Sequence, residues 1–214
     1  MIHRLALIAS AAIATFAAPA ADAATTVVQG GTRGLQLSVF GPAGQSFVAT
    51  EQNLLSFGFE FTSVNPTSND PITLTLRAGA GLTGAVVATR TLTLPDIVPR
   101  NNVWQDFNFT GTSLTVNGVY TALLSTTSTK FAVLYGPPLP STGVAPDAYA
   151  GGSLISTRAQ TGYCLTGPCD ANFRFTTMAA AVPEPATWAM MLVGFAMVGG
   201  TVRYRRRGVR LAYR

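Results

Sequence analysis

Phe57-Gly58-Phe59-Glu60-Phe61 is the stretch of sequence that decides the fold. Successive side chains of a strand point to opposite faces, so its three phenylalanines share one face and Gly58 and Glu60 share the other. The same alternation recurs over residues 26–175, where helical periodicity is almost absent. The apolar members of the other alternating segments are Leu35/Leu37/Val39, Ile72/Leu74/Leu76, Leu92/Leu94, Phe107/Phe109, Tyr120/Ala122/Leu124, Phe131/Val133/Tyr135 and Phe173/Phe175.

Turn-forming residues separate these segments, as at Gly41-Pro42, Asn69-Asp70-Pro71, Asn117-Gly118 and Gly136-Pro137-Pro138. About nine short strands joined by such turns are typical of an antiparallel β-sandwich. Each sheet of a sandwich has one face in the core and one in solvent, which produces the alternation. We therefore predict an all-β fold, with a single antiparallel, jelly-roll-like β-sandwich over residues 24–178.

The N-terminus has the three parts of a secretory signal peptide. Residues 1–4 are short and basic, residues 5–18 are apolar and uncharged, and Ala21-Asp22-Ala23 is a cleavage site with small residues at both ends. We predict that residues 1–23 are the signal peptide and that the mature chain starts at Ala24.

The C-terminus also has three parts: Pro183-Glu184-Pro185, an apolar run from Trp188 to Val202, and an arginine-rich end. The prolines mark a junction with the preceding residues, of which 179–182 form a linker. At ~1.5 Å rise per residue the run covers somewhat less than a ~30 Å hydrocarbon core. Segment 188–202 is predicted as a short transmembrane helix with the arginines on the cytoplasmic side.

This tail resembles the PEP-CTERM sorting signal of exported Gram-negative proteins, in its Pro-Glu-Pro-x-x-Trp-Ala variant. The matching residues are Pro183, Glu184, Pro185, Trp188, Ala189, Gly194, Phe195, Gly199, Arg203, Arg205, Arg206 and Arg207. The resemblance implies that residues 183–214 are a sorting signal, cut near Pro-Glu-Pro by an exosortase, which is a membrane enzyme. It also implies association with the inner membrane before cleavage, a cell-surface or extracellular-matrix location afterwards, and an exopolysaccharide or biofilm setting.

The formal charge of +5 is concentrated at the ends of the chain. Between Ala24 and Val182 there are seven basic and seven acidic residues, so the mature body is close to neutral. Binding to nucleic acid requires clustered Lys and Arg that contact phosphates, and this body has no such cluster. We predict no nucleic-acid partner.

The one histidine of the chain, His3, lies in the signal peptide. The mature sequence therefore provides neither a Ser-His-Asp or Cys-His triad nor a histidine-ligated metal site. Residues 79–84 match the glycine pattern of dinucleotide-binding proteins, but a strand-like segment follows them. That mechanism needs a helix whose N-terminus holds the pyrophosphate, so we interpret the glycines as a hairpin loop. We predict no catalytic residues, no metal site and no cofactor.

Cys164 and Cys169 lie in one short segment in which Gly167-Pro168 allows a turn. Export brings the chain into an oxidising compartment, where a disulfide between two such cysteines is the default. We predict a structural Cys164–Cys169 disulfide, and two free thiols are the alternative.

The first candidate for glycan contact is Trp104 with Asp106. If Phe107 points inward, strict alternation puts Trp104 and Asp106 together on the outer face, where an indole ring can stack on a sugar. The alternative is that a bulge near residues 102–103 turns Trp104 into the core or the rim of the sheet, since tryptophan is usually substantially buried.

The second candidate for glycan contact is Tyr149, which follows Asp147 and precedes the paired glycines Gly151 and Gly152. The glycines permit close approach of a ligand to the backbone. A bulge or a tight entry into a strand explains them equally well.

Together these features favour a non-enzymatic, exosortase-sorted protein that is a structural or adhesive component of the cell surface or matrix. A carbohydrate-binding module that uses Trp104 or Tyr149 is the alternative. The third hypothesis is a hydrolase whose two carboxylates flank a cleft. Glu60 with Asp106 is one such pair, although no local motif supports it.

Overall fold

The structure is a computed structural model that describes residues 22–65, 70–99, 101–136, 147–158, 169–180 and 185–208. It divides the chain into two compact units. The larger unit, Ala21–Ala180, contains the β-strands, and the C-terminal helix belongs to the other unit.

The described part of the larger unit consists mainly of antiparallel strands, as the alternation predicted. In chain order the elements are β1 (Ala23–Val28), β2 (Arg33–Gln36), α1 (Leu37–Phe40), β3 (Ala43–Val48), β4 (Asn53–Ser63), β5 (Ile72–Ala78), β6 (Val86–Leu92), β7 (Val103–Ser113), β8 (Val119–Ser125), β9 (Phe131–Gly136), β10 (Leu154–Ser156), β11 (Asp170–Ala171) and β12 (Phe173–Met178). There are more strands than predicted, because short segments such as β10 and β11 are identified by their pairing with longer strands and not by alternation.

One alternating segment does not form the predicted strand. Leu35 lies in β2, but residues 37–40 form the single helical turn α1, closed by a 2.8 Å hydrogen bond from the Gly41 N–H to the Leu37 carbonyl. Leu37 is buried and Val39 is exposed, although the strand prediction put them on one face. Three alternating residues are too few to distinguish a strand from a turn of helix.

The strands form two antiparallel sheets. The seven-stranded sheet has the order β1-β12-β4-β9-β11, with β7 also paired to β4 and β2 also paired to β9. The five-stranded sheet has the order β10-β3-β8-β5-β6. In the larger sheet, β7 pairs with one edge of β4, while β12 and then β9 pair with the other edge. Strand β4 therefore has paired neighbours on both edges and lies in the middle of the sheet, beneath its outer surface.

Both sheets contribute to one apolar core. Its largest fully buried side chains include Phe47, Phe57, Phe59, Phe61, Phe107, Phe109, Phe131, Phe173 and Phe175. The ring of Phe47, from the five-stranded sheet, lies 4.9 Å from that of Phe57 and 5.0 Å from that of Phe175, both from the larger sheet. The inward-facing positions predicted from alternation in β4, β7, β9 and β12 are confirmed, and the jelly-roll arrangement stays a prediction.

Nearly all of the predicted signal peptide, residues 1–21, lies outside the described residues. Strand β1 begins at Ala23 and strand β12 ends at Met178. These ends lie next to the predicted boundaries of the mature β domain, which remain predictions.

The C-terminal helix α2 (Pro185–Gly208) begins at a proline, which the first turn of a helix tolerates. In the part of the chain that the structure describes, no helix combines the length and the apolar character needed to cross a membrane. The described residues therefore give no support to the transmembrane helix predicted at 188–202, which stays a prediction. An apolar run of about 15 residues rises only about 22 Å, against a ~30 Å hydrocarbon core.

Candidate functional site

The outer face of the seven-stranded sheet carries the first candidate for glycan contact. In β7, Phe107 is buried in the core, Asp106 is exposed and Trp104 is half-buried. Trp104 pairs in register with Glu60 of β4, which places it on the face opposite the core. The structure therefore brings Trp104 and Asp106 onto one surface, as the alternation predicted, and not into the core.

Arg174 of β12 joins these two residues. Its guanidinium carbon lies 4.9 Å from the centre of the Trp104 ring, in the geometry of a cation–π contact. Its Nε donates to Asp106 Oδ1 at 2.8 Å and its Nη2 donates to Oδ2, so the ion pair is bidentate. The hydrogen bond to Asp106 raises the pKa of Arg174 above its ordinary value. The result is a fixed cluster of an indole, a cation and a carboxylate.

Gly58 of β4 makes this ion pair possible. It lies between Arg174 on β12 and Asp106 on β7 in one row across the sheet. A Cβ at this position would lie 2.1 Å from Asp106 Oδ1 and 2.9 Å from the Gln105 carbonyl oxygen. The missing side chain lets the Asp106 carboxylate extend over β4 to Arg174. A glycine inside a strand is the sequence signal for such a close approach, but it does not name the residue that approaches.

Glu60 occupies the neighbouring row, beside Trp104. Its Oε2 accepts a hydrogen bond from Asn172 Nδ2 at 2.7 Å. Asn172 is itself held by the backbone of Gly31, which donates to its Oδ1 at 2.8 Å. Glu60 and Asp106 thus share the outer face, but each carboxylate hydrogen-bonds to a different residue: Glu60 to Asn172 and Asp106 to Arg174. This arrangement gives the two-carboxylate hydrolase no support.

Tyr149 lies elsewhere. Its ring meets the core ring of Phe173 edge-on at 5.2 Å, and its hydroxyl accepts a hydrogen bond from the Val48 N–H at 3.2 Å. Phe173 and Arg174 are consecutive in β12 and point to opposite faces, so Tyr149 is not part of the Trp104 cluster. The two predicted glycan candidates are therefore separate, and the contacts of Tyr149 are structural.

The paired glycines after Tyr149 also have a packing explanation. A Cβ at Gly152 would lie 1.8 Å from the carbonyl oxygen of Ser46 in β3. The close approach is therefore between this segment and β3. That contact matches the tight-entry alternative for these glycines.

Asp170 of β11 is a buried carboxyl group, 1% exposed. Its Oδ1 accepts from Gln45 Nε2 at 2.7 Å, and its Oδ2 accepts from the Tyr149 N–H at 3.0 Å. Gln45 belongs to β3, so this hydrogen bond joins the two sheets. Burial raises the pKa of Asp170 from 3.8 to about 6. The hydrogen bond from Gln45 lowers this pKa and the negative charge of Asp147 raises it, but burial has the largest effect. The described residues place no group of three Cys, His, Asp or Glu side chains where it could hold a metal ion.

This buried carboxyl predicts that the protein is more stable at pH 4 than at pH 7. A raised pKa in the folded state means that folding takes up a proton between about pH 4 and the folded pKa, so stability falls across that window and then levels off. The decrease amounts to at most about 3 kcal/mol. Urea denaturation at several pH values should show it, and Asp170→Asn should flatten that part of the curve. An unchanged slope in Asp170→Asn would assign the effect to other carboxyls.

Several predicted residues are described only in part or not at all. Cys169 is buried, but Cys164 lies outside the described residues, so the disulfide stays a prediction. In the sorting tail, Trp188 is 57% exposed and Arg203 is exposed. Pro185 begins α2. Pro183, Glu184 and the side chains of Arg205, Arg206 and Arg207 lie outside what the structure describes.

The comparison with known proteins concerns this tail. The family model described as the PEP-CTERM protein-sorting motif matches residues 181–207. No curated protein matches the chain. The match confirms the resemblance: the chain carries a PEP-CTERM sorting motif. The motif supports an exported protein that is targeted to an exosortase and sorted in association with a membrane. The β-rich unit has no family assignment of its own.

Proposed function

We propose that this protein is a non-enzymatic component of the cell surface or extracellular matrix, exported and then released from its tail by an exosortase. The observation that carries the proposal is the sorting motif at residues 181–207. The β-rich unit suits a structural or adhesive role, because its core is continuous and its acidic and basic residues are balanced. Exopolysaccharide is the partner proposed for it in a biofilm matrix.

The location is tested by fractionating a Gram-negative host that has both an exosortase and exopolysaccharide synthesis. The mature protein should be recovered with the matrix, and it should shift to the medium when polysaccharide synthesis is disabled. A variant that ends after Ala180 is the matched control, since it keeps the β-rich unit and lacks the motif, and it should remain periplasmic. Recovery of the complete protein in the periplasm of the competent host would contradict the proposal.

Carbohydrate binding is the second candidate function. The observation that favours it is the Trp104 cluster, in which an indole lies half-exposed beside the hydrogen-bonding groups of Asp106 and Arg174. An aromatic surface stacks on the apolar face of a sugar ring, while charged groups at its edge bind hydroxyls. This surface, unlike Tyr149, is available on the outside of the sheet.

Trp104→Ala should separate this function from a purely structural role. We expect glycan affinity to fall about tenfold or more, which corresponds to about 1.4 kcal/mol. The stability should change by only about 1 kcal/mol, because the substitution removes a half-buried cation–π pair on the outer face and leaves the core intact. Affinity gel electrophoresis and thermal denaturation measure the two effects. Trp104→Phe keeps a ring and should bind at an intermediate level, whereas unchanged binding by Trp104→Ala excludes this surface.

A further inference from the structure

A groove lies on the seven-stranded sheet and encloses about 450 Å³, within the usual range of small-ligand sites. Its described lining comes from β2, β4 and β9 and from residues that connect strands. The described lining includes Thr32, Gly34, Thr62, Ser63, Asn102 and Leu134.

The groove lies on the face opposite the core. Thr62 follows the core residue Phe61 in β4, and Leu134 lies between the core residues Val133 and Tyr135 in β9. Because neighbouring side chains of a strand point to opposite faces, Thr62 and Leu134 point away from the core. The groove therefore shares its face of the sheet with Trp104.

The groove is one residue step away from Trp104. Glu60 and Thr62 are successive residues on the same face of β4, and Trp104 pairs with Glu60. Residues i and i+2 of a strand are about 7 Å apart. On β7 the same step leads from Asn102, just before the strand, to Trp104. An extended ligand in the groove would therefore reach the exposed part of the indole.

Gly34 of β2 keeps the floor of the groove open. A Cβ at this position would lie 3.2 Å from the Cβ of Ala132 and 3.6 Å from Cγ2 of Thr62, in space that glycine leaves empty. Gly34 is exposed, so its backbone is accessible beside the side chain of Thr62, whose Cγ2 methyl is the nearer group.

The described lining of the groove is polar but uncharged. Its hydrogen-bonding side chains on the outer face are the hydroxyls of Thr32 and Thr62 and the amide of Asn102. Hydroxyls and amides both donate and accept hydrogen bonds, as the hydroxyl groups of sugars do. Phosphate and carboxylate ligands are bound by Arg and Lys, which the described lining does not contain. The nearby carboxylate of Glu60 is bonded to Asn172.

We propose that this groove, continuing to Trp104, binds a segment of neutral polysaccharide in an extended conformation. Sugar hydroxyls hydrogen-bond to Thr62 and Asn102 in the groove, and the next sugar along the chain contacts the indole of Trp104. The proposal rests on the carbohydrate-binding function argued above and adds to it the location of the main site and the charge class of the ligand.

The test compares Asn102→Ala and Thr62→Val with wild type in the mature protein purified from producing cells. Asn102 is exposed, so its truncation leaves the core intact, and valine has nearly the shape of threonine without the hydroxyl. Asn101→Ala is the matched control, because Asn101 is an adjacent, exposed amide outside the described lining. The probes for affinity gel electrophoresis are dextran, hydroxyethyl cellulose and galactomannan, which are neutral, and alginate, which is anionic.

We expect wild type and Asn101→Ala to bind at least one neutral polymer alike, and the two groove variants to bind it about tenfold more weakly because each leaves a sugar hydroxyl unpaired. If Trp104→Ala weakens binding while both groove variants bind like wild type, the carbohydrate function stands and the groove proposal is overturned. If wild type binds alginate alone, the assignment to neutral polymers is overturned. If it binds none of the four, both the function and the groove fail.

Discussion

Phe57→Ala is expected to lower the free energy of unfolding by about 3–5 kcal/mol. Phe57 is 0% exposed and lies where the two sheets meet. Its ring centre is 4.9 Å from that of Phe47, 5.7 Å from Phe173 and 6.0 Å from Phe175. Truncation to alanine removes the buried ring and leaves a cavity bounded by side chains of both sheets, which cannot easily close.

Urea denaturation of the purified mature protein measures this destabilisation. Val86→Ala is the control, because Val86 lies in β6 and is 53% exposed, and its effect should stay within about 0.5 kcal/mol. If Phe57→Ala does not fold, Phe57→Leu supplies a milder variant that should still be less stable than wild type. A decrease below about 1 kcal/mol for the alanine variant would contradict the shared core.

The second large effect is expected in the sorting tail. Replacing Pro183, Glu184 and Pro185 together by alanine should block release of the protein in a host that carries the exosortase. The sorting motif spans these residues, and α2 begins at Pro185, so the substitution also lets the helix extend toward the linker. The altered protein should remain with the cells at its full mass, while wild type is released.

Immunoblots of cells and culture medium detect this redistribution. Thr187→Ala is the matched control, since Thr187 lies within the motif but is not one of the residues that define the Pro-Glu-Pro-x-x-Trp-Ala pattern. Equal release of wild type and the triple variant would show that the Pro-Glu-Pro segment is not the recognised element.

Alternation was sufficient to predict the faces of the long strands. Phe57, Phe59 and Phe61 are buried together, as are Phe107 and Phe109, because a strand that covers a core needs no information beyond its own sequence to select a face. The same rule placed Trp104 and Asp106 on the outside. It failed at Leu37 and Val39, where the segment is short and a single helical turn has a similar pattern.

The contacts that assemble the candidate site were not predictable in this way. Arg174 and Asp106 are 68 residues apart in sequence, and Gln45 and Asp170 are 125 apart. Such pairs depend on strand order and register, which local patterns do not specify. Gly58 signals that something approaches the strand, but only the sheet identifies the carboxylate of Asp106 as that group. The separation of Tyr149 from Trp104 follows from the same non-local arrangement.

In the tail, by contrast, the functional feature could be predicted from local sequence. Its motif is contiguous, so the sequence alone identified it, and the family comparison confirmed it. The interpretation of its apolar run as a membrane span finds no support in the described residues and stays a prediction.

The central claim is that the protein is exported and then processed at its sorting motif, and intact mass spectrometry of the released protein tests it most directly. In a host with the cognate exosortase, the mature protein should start at Ala24 and should lack the residues from about Trp188 onward. In an isogenic host without the enzyme, the protein should stay with the cells, and its mass should include the complete tail to Arg214. Released protein that retains Arg214 in the host with the exosortase would contradict the account.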